Sequence, residues 1–228
     1  MRASYLGQDR FDIQEAVKNL AKQMQSPTEF DMQELKRLGR FLKKRPRAVL
    51  VYERQPLPKH VVSWGDADNA SDPIKRRSTT GEIVMFGKHC IRSASHILTP
   101  IGLSSGENEY YAAVGAARGA LHIQSLLEDW GINIKASIRL KTDSTAAKGF
   151  ASRRGLSKLM KHVSTKYLWL QDHIANGTVL LEKVPTDKML ADCLTKAVPT
   201  RITEYAMSET RLEYRTGIAE KQKKTLTQ

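Results

Sequence analysis

The sequence has only two cysteines among its 228 residues, Cys90 and Cys193. Both fall inside predicted regular elements, which favours buried free thiols in a reducing compartment over a disulfide framework. No apolar run reaches the roughly 18 residues that a membrane span requires. The first ten residues are polar and charged and contain no visible secretory signal. We therefore expect a protein that is not secreted and has no membrane partner.

Acidic residues are also scarce relative to basic ones. The chain has 24 Asp and Glu against 37 Lys and Arg, which gives a formal net charge of +13. Such an excess favours a polyanionic partner, and nucleic acid before a membrane, because no basic amphipathic anchor stands out. The six histidines are scattered without metal-ligand spacing, which speaks against a zinc site.

Hydrophobic periodicity divides the chain into three regions. Residues 1–58 contain two predicted helices, 9–24 and 28–44, and end in the linker-like Gln55-Pro56-Leu57-Pro58. The second helix carries many basic residues, which fit either a solvated face or a phosphate-contacting surface. Residues 59–200 are predicted to form an α/β domain. Residues 201–228 are a basic tail that we expect to be poorly ordered, because its last part has few apolar residues.

The order of elements in the α/β region predicts a mixed sheet with helices on both faces. Predicted strands cover 60–66, 80–87, 88–97, 137–142 and 178–184, and predicted helices cover 106–130, 144–151, 157–176 and 188–197. Sequential strands can form an antiparallel meander, whereas strands reached through helices must run parallel to a partner. Ligands of such sheets bind beyond the carboxyl ends of the parallel strands. Asp66 and Asp143 lie at such ends, so their carboxylates meet if the two strands are neighbours.

Acidic residues recur in four strings of this region. The strings are HVVSWGDAD (60–68), LSSGENEYYAA (103–113), SIRLKTDSTAA (137–147) and KVPTDKMLADCLTK (183–196). Taken singly, each acid could be a helix cap or a surface carboxylate, as Asp143 before Ser144 illustrates. Taken together, such dispersed acids are typical of sets that a fold gathers to bind divalent cations.

Five collinear strings resemble the ribonuclease H domain of copia-type LTR-retrotransposon Pol polyproteins. They are GDADNASDPIKRRSTTG (65–81), LSSGENEYYAA (103–113), LKTDSTAA (140–147), KHVSTKYLWLQ (161–171) and VPTDKMLADCLTK (184–196). Residues 4–46 resemble the segment before it, the end and thumb-like helices of the reverse transcriptase. The resemblance covers roughly residues 4–200. It implies an α/β fold, the ribonuclease H-like three-layer fold with a mixed five-stranded sheet, preceded by a small helical remnant of the reverse transcriptase.

The resemblance also implies which acids are catalytic and metal-binding. They are Asp66, Glu109, Asp143 and Asp192, and Glu107 remains an alternative to Glu109 because the pattern S-S-x-E-x-E contains both. Two Mg²⁺ ions about 4 Å apart activate water, stabilise the charge at phosphorus and help the 3′ alkoxide to leave. Mg²⁺ prefers oxygen ligands and keeps several waters, so a few carboxylates suffice. Mn²⁺ is the alternative ion.

The implied activity is endonucleolytic hydrolysis of the RNA strand in RNA·DNA hybrids. Proteins recognise such hybrids through groove shape, 2′-hydroxyls and phosphates. The substrate-binding candidates are basic side chains that could equally form a solubilising surface: Arg76, Arg77, Lys148, Arg153, Arg154, Lys158, Lys161 and His162.

The resemblance further implies partners and a location. The partners are the reverse transcriptase and integrase parts of the Pol polyprotein, and the location is a cytoplasmic virus-like particle or the nucleus. The sequence lacks a YxDD-type aspartate pair, so we expect no polymerase activity. A catalytically decayed or repurposed RNA- or DNA-binding module of the same fold is the alternative.

Overall fold

The computed structural model describes residues 2–72, 75–134 and 137–217, with Leu159 described by its backbone alone. The helices are α1 (Arg2–Leu6), α2 (Phe11–Lys22), α3 (Glu29–Lys44), α4 (Ser105–Asp129), α5 (Thr145–Ala151), α6 (Trp169–Ala175), α7 (Asp192–Thr195) and α8 (Thr200–Thr210). The strands are β1 (Arg47–Leu50), β2 (Val61–Ala67), β3 (Thr79–Phe86), β4 (His89–Ile97), β5 (Ile138–Thr142), β6 (Val179–Lys183) and β7 (Leu212–Arg215).

The centre of the fold is a mixed five-stranded sheet of order β4-β3-β2-β5-β6. Strands β2, β3 and β4 form the antiparallel meander, with Asp66 opposite Gly81. Strand β5 pairs parallel with both β2 and β6. The predicted ribonuclease H-like fold class is therefore confirmed.

Helix α4 covers one face of the sheet through its small residues. Ser104 caps the helix by accepting a hydrogen bond from the Glu107 N–H, and the alanines of the helix are buried. A Cβ atom at Gly65 of β2 would lie 2.7 Å from the Ala112 carbonyl oxygen. Glycine at this position therefore lets the second and third turns of α4 lie directly on the strand.

The other face of the sheet shares a core with both ends of the chain. Phe11 of α2, Trp64 of β2, Leu194 of α7 and Met207 of α8 belong to one buried cluster. The helical segment before residue 58 therefore packs against the sheet, and the proposed boundary at 58 remains a prediction.

The prediction that residues 201–228 form a poorly ordered tail was wrong for the first part of that range. Helix α8 occupies Thr200–Thr210, and β7 pairs antiparallel with β1, which joins Leu50 to Leu212. Apolar residues in this stretch are few, but Ala206, Met207 and Leu212 all face the core. These few apolar residues are enough to anchor the stretch, because they all lie on the side that faces the core. The remaining part of the expected tail, residues 218–228, lies outside the described residues.

Two predicted helices are also shorter than expected. Within 157–176, only 3₁₀ turns at Lys158–Met160 and Thr165–Tyr167 precede α6, because Ser157 and Ser164 adopt extended backbone angles. Within 188–197, Met189 is extended and the α-helix is confined to α7.

Cys90 and Cys193 are free thiols, as expected. Among the described residues, no helix has the length and apolar character needed to cross a membrane.

Candidate metal centre

Three of the predicted acids meet at one edge of the sheet. Asp66 lies near the carboxyl end of β2, and Asp143 directly follows β5, its parallel neighbour. Glu109 comes from the second turn of α4. One carboxylate oxygen from each of the three lies within 4.8 Å of the others. The expectation that the two strand ends bring their aspartates together is therefore confirmed.

Two residues beside the cluster, Ser144 and Gly81, influence how its carboxylates are used. The hydroxyl of Ser144 caps α5 by accepting a hydrogen bond from the Ala147 N–H at 3.1 Å. Asp143 is therefore not needed as the helix cap. Gly81, opposite Asp66, lets α7 approach closely, because a Cβ atom there would lie 2.6 Å from the Ala191 carbonyl oxygen.

Burial and mutual repulsion disfavour the charged forms of two carboxyl groups in this cluster. Burial, with repulsion from Asp66 and Asp143, raises the pKa of Glu109 to about 9. Burial also raises the pKa of Asp66, to about 6, although a hydrogen bond from Thr195 opposes that rise. The Oε2 atom of Glu109 is buried without a hydrogen-bond partner. A divalent cation would relieve both the repulsion and the unpaired oxygen, so these residues fit a hard cation such as Mg²⁺.

Asp192, the fourth predicted acid, lies beside this group but is not among the three oxygens that meet. Its Oδ1 atom is 2.5 Å from the Lys196 Nζ atom, one helical turn later. Its charge contributes to the raised pKa of Asp66. The structure therefore places Asp192 near the cluster in an ion pair with Lys196.

Glu107, the alternative to Glu109, has different partners. Its side chain is 1% exposed. It accepts hydrogen bonds from the Tyr111 hydroxyl at 2.6 Å and the Leu103 N–H at 2.9 Å. Its Oε2 atom also lies 2.9 Å from the Nε2 atom of His162. These bonds hold the pKa of Glu107 below its usual value despite burial. The geometry therefore favours Glu109 as the cation ligand.

The predicted substrate-binding residues lie mainly on two exposed segments. Arg76 and Arg77 are on the loop between β2 and β3, and Arg153 and Arg154 follow Ser152, the C-cap of α5. Lys158 and Lys161 are exposed in the segment before α6, whereas Lys148 of α5 is half-buried. His162 belongs to the same segment, and its ring contacts Glu107. Their contact with substrate remains a prediction.

Thr195 and Lys196 were not among the predicted site residues. The Thr195 hydroxyl lies 2.8 Å from Asp66 Oδ2 and is buried. Positions three and four residues after Asp192 return to the same helix face, so the spacing in LADCLTK contained a usable signal.

Comparison with known proteins shows what this chain is similar to. No family model matches the chain. The chain is 32% identical over 193 residues to the retrovirus-related Pol polyprotein from transposon RE1 of Arabidopsis thaliana. The matched region covers 84% of this chain and 13% of that polyprotein. It is 33% identical over 112 residues to secreted RxLR effector protein 161 of Plasmopara viticola. That match covers 49% of this chain and 78% of the effector protein. Among solved structures, RNase H1 from the halophilic archaeon Halobacterium salinarum NRC-1 matches with a TM-score of 0.43 and 14% identity, over 66% of this chain and 98% of that one. The chain is homologous to one region of retrovirus-related Pol polyproteins from transposons and spans about an eighth of the length of such a polyprotein.

Proposed function

We propose that this chain is a divalent-metal-dependent endoribonuclease that hydrolyses the RNA strand of RNA·DNA hybrids, and that it is the ribonuclease H region of a copia-type Pol polyprotein. The observation that carries the proposal is the meeting of Asp66 and Asp143, at the carboxyl ends of two parallel strands, with Glu109 of α4. The family relationship supports the same activity.

Asp66, Glu109 and Asp143 would hold the cation, with Asp192 beside them. When bound, Mg²⁺ supplies an activated water and stabilises the charge that develops on the phosphate. Carboxylates suit this ion because it takes hard oxygen ligands and keeps several waters. Lys196 contributes a fixed positive charge, since its ammonium lies 2.5 Å from Asp192 and interacts with Asp66 and Asp143.

A groove lined in part by Glu107 is the candidate path for the substrate. It is lined by the amino-terminal turn of α4, by α5 and by the segment before α6, and includes Ser104, Ser105 and Arg153. Hydroxyl and guanidinium groups suit ribose hydroxyls and phosphates, which carry no sequence information. Lys158 and Lys161 would extend this surface along the duplex, consistent with a net charge of +13.

The proposal is tested with one duplex sequence prepared as an RNA·DNA hybrid, as double-stranded RNA and as double-stranded DNA, each labelled on either strand. With Mg²⁺ we expect internal cuts in the RNA strand of the hybrid alone, and none after chelation with EDTA. Cleavage of double-stranded DNA at an equal rate, or no cleavage with either Mg²⁺ or Mn²⁺, would contradict the proposal.

The basic character of the chain favours a second candidate function, a nucleic-acid-binding module without turnover. A net charge of +13 attracts a polyanion whether or not that polyanion is cleaved. In this case the hybrid would bind tightly and remain intact. The three acids that still meet argue for turnover, because a binding module has no need of a costly buried carboxylate cluster.

A further inference from the structure

The last residue of α7 contacts the carboxylate of Asp66. Thr195, the last residue of α7, is 2% exposed, and its Oγ1 atom lies 2.8 Å from Oδ2 of Asp66. The same oxygen lies 2.9 Å from the Asp192 carbonyl oxygen. A hydroxyl has a single proton to donate, and a charged carboxylate is the stronger acceptor. The hydroxyl therefore donates mainly to Asp66.

The backbone is shaped to permit this contact. Gly81 lies opposite Asp66 in the sheet. A side chain at Gly81 would meet Ala191, Leu194 and the methyl group of Thr195, all within 3.1 Å. Without that close approach, α7 could not bring a side chain as short as threonine to the carboxylate.

The contact restricts the carboxylate at the centre of the cluster. Terminal torsions of aspartate are broad and poorly fixed by sterics alone. A hydrogen bond to one carboxylate oxygen fixes the plane of the group, so the other oxygen has a defined direction. Groups that orient metal ligands in this way influence metal affinity strongly.

We propose that Thr195 is a positioning residue: its hydroxyl fixes the Asp66 carboxylate in the orientation that binds the divalent cation. This inference rests on the metal site of the proposed function, although it does not depend on the nucleic-acid substrate. Thr195 itself does not contact the cation and acts through Asp66.

The test measures Mn²⁺ binding to the full chain without nucleic acid, by the loss of the free-ion signal in electron paramagnetic resonance. Thr195→Val keeps the size of the side chain and removes the hydroxyl. We expect about 10- to 100-fold weaker Mn²⁺ binding, the usual effect of losing a group that orients a metal ligand. Thr195→Ser keeps the hydroxyl and should bind Mn²⁺ within about threefold of the parent, a small part of that effect.

Thr210→Val is the matched control. Thr210 is a buried threonine of α8, 1% exposed, whose hydroxyl donates to the Ala206 carbonyl oxygen at 2.6 Å. It undergoes the same chemical change away from the acids, so its Mn²⁺ affinity should not change. In hybrid cleavage, Thr195→Val should raise the Mg²⁺ concentration for half-maximal rate and leave the KM for the hybrid unchanged.

Equal Mn²⁺ affinity of folded Thr195→Val and the parent would overturn the proposal. If the valine variant does not fold, Thr195→Ala and Thr195→Ser are compared, since they differ only in the hydroxyl, and equal binding by the two has the same meaning. Absence of Mn²⁺ binding by the parent, or binding that Asp66→Asn leaves intact, also overturns it. Mn²⁺ binding that follows Thr195 in a protein that cuts no hybrid supports the positioning role and refutes the proposed nuclease.

Discussion

With no cation bound, the Glu109 carboxylate is expected to destabilise the fold increasingly as the pH rises above about 4.5. Burial and repulsion from Asp66 and Asp143 raise its pKa from 4.5 to about 9. Between these values the folded protein binds a proton that the unfolded chain does not hold. The contribution of Glu109 to the unfolding free energy is therefore fully favourable below about pH 4.5 and is lost as the pH rises towards about 9.

The size of this effect follows from the pKa difference. Each pKa unit corresponds to about 1.4 kcal/mol, so proton uptake at pH 7 costs about 3 kcal/mol. Glu109→Gln removes the titration and keeps an oxygen to accept the hydrogen bond from the Ala67 N–H. Because Asp66 shares the repulsion, we expect a stabilisation of roughly 1–3 kcal/mol, or about 2–12 °C in Tm for a chain of this size.

The assay is urea unfolding in EDTA at about pH 5 and about pH 8, followed by tryptophan fluorescence. The variant should be more stable than the parent at the higher pH, and the difference should shrink at the lower pH. Adding Mg²⁺ should stabilise the parent far more than the variant, because only the parent retains all of its ligands. Glu204→Gln, an exposed glutamate of α8, is the matched control and should change neither quantity. The reasoning is refuted if Glu109→Gln has the stability of the parent at the higher pH.

Three further predictions concern the support of the site. Gly81→Ala places a Cβ atom 2.6 Å from the Ala191 carbonyl oxygen; it should cost about 1–3 kcal/mol of stability and weaken Mn²⁺ binding, and unchanged values of both would count against the close approach of α7. Tyr111→Phe removes a 2.6 Å hydrogen bond to buried Glu107, so it should cost about 1–3 kcal/mol in thermal unfolding while Mn²⁺ affinity is retained. Leu212→Asp buries a charge at a position that is 3% exposed and should destabilise the protein by several kcal/mol, as estimated for unpaired buried charges. A tail as poorly ordered as its composition suggests would instead tolerate Leu212→Asp, and its amides would exchange with solvent without protection.

The sequence located the aspartates because strand ends obey simple geometry. Asp66 lies near the end of one strand and Asp143 follows another, and parallel pairing of those strands brings the two residues to one edge. Composition alone did not distinguish Glu107 from Glu109, because the two lie only two residues apart near the start of α4. Residues two apart point to different sides of a helix, so only the packing of α4 on Gly65 decides which glutamate reaches the cluster.

Other features depended on contacts between distant parts of the chain. The order of Thr200–Arg215 comes from pairing of β7 with β1, about 160 residues earlier in the sequence. The bond from Thr195 to Asp66 joins residues 129 positions apart. Local periodicity contains no information about either contact. It also overestimated the helix predicted over 157–176, where apolar spacing is helical but Ser157 and Ser164 take extended backbone angles.

The central claim is that Asp66, Glu109 and Asp143 bind the divalent cation that is needed for hydrolysis of the RNA strand. The most direct measurement is the single-turnover rate of RNA cleavage in an RNA·DNA hybrid with Mg²⁺, for the parent, Asp66→Asn, Glu109→Gln and Glu107→Gln. Circular dichroism at a temperature well below unfolding confirms that each variant is folded. We predict loss of cleavage by at least about a thousandfold for Asp66→Asn and Glu109→Gln, the scale of removing a group that acts in the transition state, and a rate close to the parent for Glu107→Gln. Retained cleavage by Glu109→Gln together with loss in folded Glu107→Gln would contradict the account and assign the cation to the other glutamate.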